Sequence, residues 1–190
     1  MKVLVTGGAG FVGSHTVVEL IAAGHDVHVV ENFCNSERWM VERIERISGQ
    51  SLSLDELDIR DRPALLAAAQ RFQPDAVIHF AALKSVSEST QVPAAYYDVN
   101  VGGTATLLEV MQQVGCRHLV FSSSATVYGQ PESCPVAETA PVGPGNPYGS
   151  TKLVGEWLIR DCVAAPGASL AAAILRYFNP VGAHPSGLIG

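Results

Sequence analysis

The sequence predicts a doubly wound α/β fold built on a parallel sheet, and three observations carry that prediction. The chain opens on a short apolar strand, a glycine-rich turn and a helix. Strand-like and helix-like stretches then alternate to the end, with no internal repeat or low-complexity linker. The strand-like stretches are mostly continuous apolar runs, as strands covered on both faces require. At 190 residues, 47% hydrophobic and 16% charged, the chain suffices for one well-buried domain and is too apolar to be disordered. A net charge of -6 argues against a nucleic-acid surface, which needs clustered Lys and Arg. No apolar run reaches the roughly 18 residues of a membrane span. The N-terminus enters the first strand directly, so a cytoplasmic location without membrane contact is expected. Cys34, Cys116, Cys134 and Cys162 have no paired spacing and are expected to be reduced thiols, with no metal site.

Taken in order, Lys2–Thr6 is the first buried strand. The glycines that follow it fit two spacings, Gly8-Gly10-Gly13 and Gly7-Gly10-Gly13. Either lets backbone N–H groups and a helix N-terminus approach a dinucleotide pyrophosphate, although glycine turns also join strands to helices without a ligand. Ser14 to Ala23 has an apolar face at helical spacing and stops at Gly24. The second strand runs from His25 to Val30 and ends at Glu31, 18 residues past Gly13. There a carboxylate can accept hydrogen bonds from the adenine-ribose hydroxyls and repel a 2′-phosphate, which favours NAD over NADP. An exposed acid at a strand end is the plainer alternative.

A helix is expected over Arg38–Ile47 and an edge strand over Ser51–Asp58, with Asp58-Ile59 at adenine height. Asp61 caps a helix that has Pro63 in its first turn. The fourth strand, Asp75–Phe80, delivers the small Ala81-Ala82 to the crevice edge. A long helix follows from Pro93 to Gln113, interrupted by Asn100, Gly102 and Gly103, with Asn100 either a structural amide or a cofactor contact. Arg117–Phe121 is the fifth strand and emerges into Ser122-Ser123-Ser124. Gln130–Pro147, with five prolines, must be loop; Ser150–Cys162 resumes helical spacing, and Ala171–Tyr177 is the sixth strand.

Tyr148 and Lys152 lie four apart at a helix start, so they share a face. An unperturbed tyrosine is a poor base at neutral pH, and lowering its pKa by about 3 units takes roughly 4 kcal/mol. A neighbouring Lys152 ammonium is expected to supply that by favouring the phenolate, with Ser124 bonding the same substrate hydroxyl.

The segments TGGAGFVGSHT, HFAALKSVSES, FSSSATVYG, NPYGSTK and RYFNPVGAHPSG run in this order from end to end of the chain. Together they resemble the UDP-glucose 4-epimerase branch of the extended short-chain dehydrogenase/reductase family. The resemblance implies a Rossmann-type NAD-binding domain over residues 1–190 that interconverts UDP-glucose and UDP-galactose, by oxidation and re-reduction at sugar C4, in galactose metabolism. It implies Ser124, Tyr148 and Lys152 as the catalytic set. For NAD it implies Gly7, Gly10, Phe11, Val12 and Gly13 at the turn, and Glu31, Asn32, Asn35, Ser36, Asp58 and Ile59 toward the adenosine. Phe80, Ala81, Ala82, Lys84, Asn100, Ser122, Tyr148, Lys152, Tyr177 and Phe178 complete the cofactor set. Lys84, Ser124, Tyr148 and Asn179 are implied to face the sugar nucleotide, and dimerisation through the helices after strands four and five is implied as well.

Dehydratases of the family place an Asp-Glu pair where this chain has Ala125-Thr126, which favours simple epimerisation. Two features depart from the pattern. Glu31 replaces a common Asp, and the chain stops at Gly190, where the family continues into a C-terminal substrate domain expected to be absent here. The alternatives are another nucleotide-sugar dehydratase or decarboxylase of the family, or an NAD-binding unit without turnover.

Overall fold

In the computed structural model, which describes residues 1–190, the β-branched run Lys2–Thr6 forms β1. Five strands follow: β2 (Asp26–Glu31), β3 (Ser53–Glu56), β4 (Ala76–His79), β5 (His118–Ser124) and β6 (Ala171–Tyr177). All pair in parallel, in the order β3-β2-β1-β4-β5-β6. The chain leaves β3 at one edge and re-enters at β4 beside β1, reversing the direction of winding. The connections after β1 and β4 therefore diverge and open a crevice at the strands' carboxyl ends. This is the doubly wound sheet that the alternating pattern predicts.

The helices are α1 (Phe11–Ala22), α2 (Trp39–Ser48), α3 (Arg62–Phe72), α4 (Val86–Gln91), α5 (Pro93–Tyr97), α6 (Gly103–Val114) and α7 (Pro147–Ala164). Strand alternation divides the core between the two faces. Val3 and Val5 of β1 pack with Val17, Val18 and Ile44 of α1 and α2. Leu4, between them, packs with Leu65, Leu107 and Ile159 of α3, α6 and α7. None of the helices is long and apolar enough to cross a membrane.

Several boundaries differ from the sequence expectation: α1 already starts at Phe11, and β3 is shorter than Ser51–Asp58. The helix expected over residues 93–113 is α5, a π-helical turn at Asp98–Gly102 and then α6. The Thr104 hydroxyl donates to the Asn100 carbonyl across that turn at 2.5 Å. A Cβ on Gly103 would lie 2.4 Å from Ile59 Cδ1, so any side chain there would have to displace that of Ile59. Helix α4 has no apolar periodicity to announce it; Ser85 caps it by accepting from the Glu88 N–H at 3.2 Å. Strand β5 continues through the three serines, with Ser124 level with Tyr177 of β6. Helix α7 starts at Pro147, where Asn146 accepts from the Gly149 N–H at 2.9 Å, a side-chain N-cap.

Behind the crevice runs a buried polar chain. Thr6 Oγ1 meets His79 Nδ1 at 2.6 Å, and His79 Nε2 meets Thr104 Oγ1 at 3.0 Å. Burial, with a smaller contribution from the Lys152 charge, pushes the His79 pKa from 6.5 down to about 3. Folding therefore holds His79 neutral, whereas the unfolded chain takes up a proton below 6.5, so its share of stability is lost as pH falls from 6.5 toward 3. Urea unfolding of His79→Gln at pH 7 and pH 4.5 is expected to show a smaller acid loss than the unsubstituted chain. An equal loss in both proteins contradicts this assignment.

Candidate active site

The crevice is a cleft of about 380 Å³ along the carboxyl edge of the sheet. At its centre the glycine turn brings backbones together too closely for side chains. Gly7 has φ +74°, and a Cβ there would lie 2.6 Å from the Ala81 nitrogen; one on Gly13 would lie 2.2 Å from the Gly7 carbonyl oxygen. Gly8 instead packs against Val29 and does not line the cleft. The structure thus selects the wider spacing, Gly7-Gly10-Gly13. Gly10 is the N-cap of α1 and offers no side-chain acceptor to the first turn. The first-turn amides of Phe11, Val12 and Gly13 consequently face the cleft without helical partners, and the helix end adds partial positive charge.

Toward β2, the Glu31 carboxylate is buried and well held. Its oxygens accept from the Ala9 N–H at 3.2 Å, the Asn32 N–H at 3.1 Å and the Phe33 N–H at 3.2 Å. It ties the glycine turn to the end of β2 and still lines the cleft, which an exposed strand-end acid would not do. Asn32 donates to Asp58 at 3.1 Å. Hydrogen bonds from Arg60 hold the Asp58 carboxyl down at about 2, so that it remains an anionic acceptor. Asn35 donates to the Ala82 carbonyl at 3.3 Å, joining the two walls of the cleft.

At the opposite end, β5, β6 and α7 converge. The Lys152 ammonium is buried, donates to the Ser122 carbonyl at 2.8 Å and sits 5.1 Å from the centre of the Phe121 ring. Burial pushes its pKa down to about 8. Ser124 Oγ accepts from the Thr126 N–H at 3.2 Å and from the Thr126 hydroxyl at 2.9 Å. Both lone pairs are engaged, so its own proton is free to be donated into the cleft, where Tyr148 lies. Burial raises the Tyr148 pKa, and the Ser124 hydrogen bond opposes that rise. This corrects the sequence expectation in one respect: Lys152 directs its charge at Ser122, and burial sets the ionisation of Tyr148.

Most of the residues expected to hold a dinucleotide line this one cleft, including Phe80, Ala81, Lys84, Ile59, Tyr177 and Phe178, and so does Asn179, expected to face the sugar nucleotide. Two do not. Asn100 is buried outside the lining, with its amide fully used: Oδ1 accepts from the Leu83 N–H at 2.8 Å, and Nδ2 donates to the Leu83 carbonyl at 3.0 Å and to Thr151 at 2.9 Å. It holds the Ala81–Lys84 segment in place. Ser36 also lies off the lining, its buried hydroxyl without a partner. The sequence reading missed Val30, Cys34, Leu57, Val86, Val99, Ser123, Thr126 and Pro180 in the lining. Of these, Leu57 had a signal, since it precedes Asp58 on an alternating strand. A dinucleotide fits the donors present: orphan amides and a helix dipole at the centre, carboxylates toward β2, and a Ser-Tyr-Lys set at the far end.

Comparison with known proteins agrees with this geometry. The profile of the NAD dependent epimerase/dehydratase family matches residues 3–189. UDP-glucose 4-epimerase 2 of Arabidopsis thaliana is 52% identical over 192 residues, covering 100% of this chain and 55% of the relative. The UDP-glucose 4-epimerase of Bacillus subtilis (strain 168) is 48% identical, with 100% and 56% covered. Among solved structures, UDP-glucose-4-epimerase from Stenotrophomonas maltophila, with bound NAD and formylated UDP-arabinopyranose, superposes with a TM-score of 0.96 at 56% identity, covering 100% of this chain and 56% of that one. The enzyme from Bifidobacterium longum, in complex with NAD+ and UDP, gives 0.96 at 46% identity, covering 100% and 57%. The chain spans about half the length of the relatives it matches.

The buried ammonium makes a stability prediction. Below pH 8 Lys152 is charged in the folded and unfolded chains and its burial cost is fully present; the cost is relieved as pH rises from 8 toward 10.5. Lys152→Met is expected to raise the melting temperature at pH 7 by about 3–6 °C, with the gain shrinking at pH 10. A gain independent of pH, or a loss at pH 7, contradicts the buried-charge reading.

Proposed function

The chain belongs to the NAD dependent epimerase/dehydratase family, and on that premise we propose that it is the cofactor-binding and proton-transferring half of a UDP-glucose 4-epimerase. Its substrates are then UDP-glucose and UDP-galactose, which assigns it to galactose metabolism. The observation that carries this reading is the convergence of Ser124, Tyr148 and Lys152 at one end of a cleft whose middle is the glycine turn. Residues 1–190 form the NAD-binding domain, and Lys84, Ser124, Tyr148 and Asn179 face the sugar nucleotide.

Gly7, Gly10 and Gly13 with the first turn of α1 hold the pyrophosphate, and Glu31 and Asp58 hold the adenosine. Phe80, Ala81, Lys84, Tyr177 and Phe178 wall the nicotinamide half. When bound, NAD supplies reversible hydride acceptance from the sugar C4. The chain's own residues manage the proton. Tyr148 takes it from the 4-hydroxyl and later returns it, and Ser124, its lone pairs engaged by Thr126, donates toward the same oxygen. Lys152, charged below pH about 8, keeps a cation at this end of the cleft. Lys84 and Lys152 are the two cations in the lining.

Ala125 and Thr126 support epimerisation over dehydration. Alanine carries no proton, and the Thr126 hydroxyl is committed to Ser124, so a second acid/base pair is lacking. Self-association through the helices after β4 and β5 is supported by the exposed Tyr97 and Trp157.

Two measurements test the proposal. Calorimetric titration with NAD, then with UDP, is expected to show NAD binding to this chain. Heat from UDP would place uridine contacts within residues 1–190, whereas its absence would identify a cofactor module that needs the remaining half for turnover. In the chain joined to that half, Tyr148→Phe is expected to lower UDP-galactose formation by about 10²–10⁴-fold while leaving NAD bound. Unchanged turnover in that variant would remove Tyr148 from the role of base.

A further inference from the structure

Glu156 is a fully buried carboxylate on α7, one turn beyond Lys152, and lies outside the cleft lining. It accepts from the Ser123 hydroxyl at 2.6 Å, from Arg176 Nε at 2.9 Å and Nη2 at 2.6 Å, and from Arg160 Nη2 at 3.2 Å. Four donors from β5, β6 and α7 itself meet on one side chain. Each of the first two elements carries groups of the reacting end. Ser123 stands between Ser122, whose carbonyl receives the Lys152 ammonium, and Ser124, which faces Tyr148. Arg176 immediately precedes Tyr177 and Phe178, which line the cleft.

Arg176 also reaches outward. It donates to the Glu138 carbonyl at 3.3 Å and lies 4.7 Å from the centre of the Tyr128 ring. That ring in turn stacks on Phe178 at 6.5 Å. With β5 and β6 already paired, Ser124 opposite Tyr177, the ion pair and the Ser123 hydroxyl tie α7 to both strands beside the residues they present to the cleft. Together they fix the α7 face carrying Tyr148 and Lys152.

A hydrophobic pair of similar volume would hold two strands together about as well, because burying charges is costly. A paired carboxylate and guanidinium differ in that their hydrogen bonds have direction and fix geometry. At a site where hydride must pass at one carbon and the proton at its oxygen, small misplacements are expensive.

We propose that Glu156, through Arg176 and Ser123, is a positioning residue that holds the nicotinamide end of the cleft in register with Ser124, Tyr148 and Lys152. The inference rests on the cofactor reading given above. It distinguishes the two ends of one ligand: the adenosine and pyrophosphate contacts, on β1, β2 and α1, do not touch the Glu156 cluster.

The test titrates the folded chain with NAD and with ADP-ribose, which lacks the nicotinamide. Unsubstituted chain is expected to prefer NAD. Glu156→Gln, which leaves Arg176 without its counter-charge, is expected to lose that preference by about tenfold, with ADP-ribose affinity changed less than about twofold. Thermal melts establish that each variant is folded. If Glu156→Gln does not fold, Arg176→Lys carries the comparison: it keeps the charge, loses the two-pronged contact and should lose about threefold of the preference. A folded variant with an unchanged preference, or with both ligands weakened equally, overturns the proposal. Unsubstituted chain that binds neither ligand overturns the cofactor reading itself.

Discussion

Backbone meets backbone at the carboxyl ends of β1 and β4, with no room for a side chain, and the rest of the molecule is arranged around that approach. Any Cβ on Gly7 or Gly13 would fall within 3 Å of main-chain atoms of Ala81 or Gly7. The approach is possible because β1 and β4 are neighbours in the sheet although β2 and β3 intervene in sequence. The same topology sends their loops apart, so close packing beneath and an open cleft above have one cause. Glu31 secures the arrangement from the side by accepting from Ala9 within the turn. Conformational entropy lost at the glycines is offset by the sheet and two packed faces below them.

The electrostatics of the cleft follow from burial. Lys152 and Tyr148 both sit where a charge is poorly solvated, so the ammonium becomes more acidic and the phenol less acidic. The two shifts move apart proton affinities that nearly coincide in water, the ammonium falling to about 8 while the phenol rises. Ser124 then matters more than its modest size indicates, because its engaged lone pairs leave it a donor to the phenolic oxygen. An oxidised nicotinamide ring would add positive charge to the same end and favour the phenolate further.

Elements with a clear apolar period were legible in the sequence, and those shaped by side-chain hydrogen bonds were not. Strand β1 was delimited by its β-branched run and α3 by the Asp61 cap, which accepts from the Ala64 N–H. Helix α4 (VSESTQ) carries no such period, and the π-helical turn depends on Thr104 bonding back to Asn100. The three serines show the limit most clearly. Read as a loop they look equivalent, but strand alternation gives each its own part. Ser122 offers its carbonyl to Lys152, Ser123 turns to Glu156 and Ser124 faces the cleft. Glycine spacing and the Tyr148-Lys152 pair located the middle and one end of the cleft. Asn100, by contrast, proved to be a structural amide because its partners come from Leu83 and Thr151, distant in sequence.

The family is NAD dependent, and the proposed function gives Glu31, which lines the cleft, the adenine ribose. Its carboxylate is fixed by three backbone donors and cannot swing away from a 2′-phosphate. Equilibrium titration of the chain with NAD and NADP at one ionic strength tests this directly. Saturation by one equivalent of NAD is expected, with binding of NADP weaker by at least about tenfold, a difference of about 1.4 kcal/mol or more. Equal affinity for the two, or no saturable NAD binding, would contradict it.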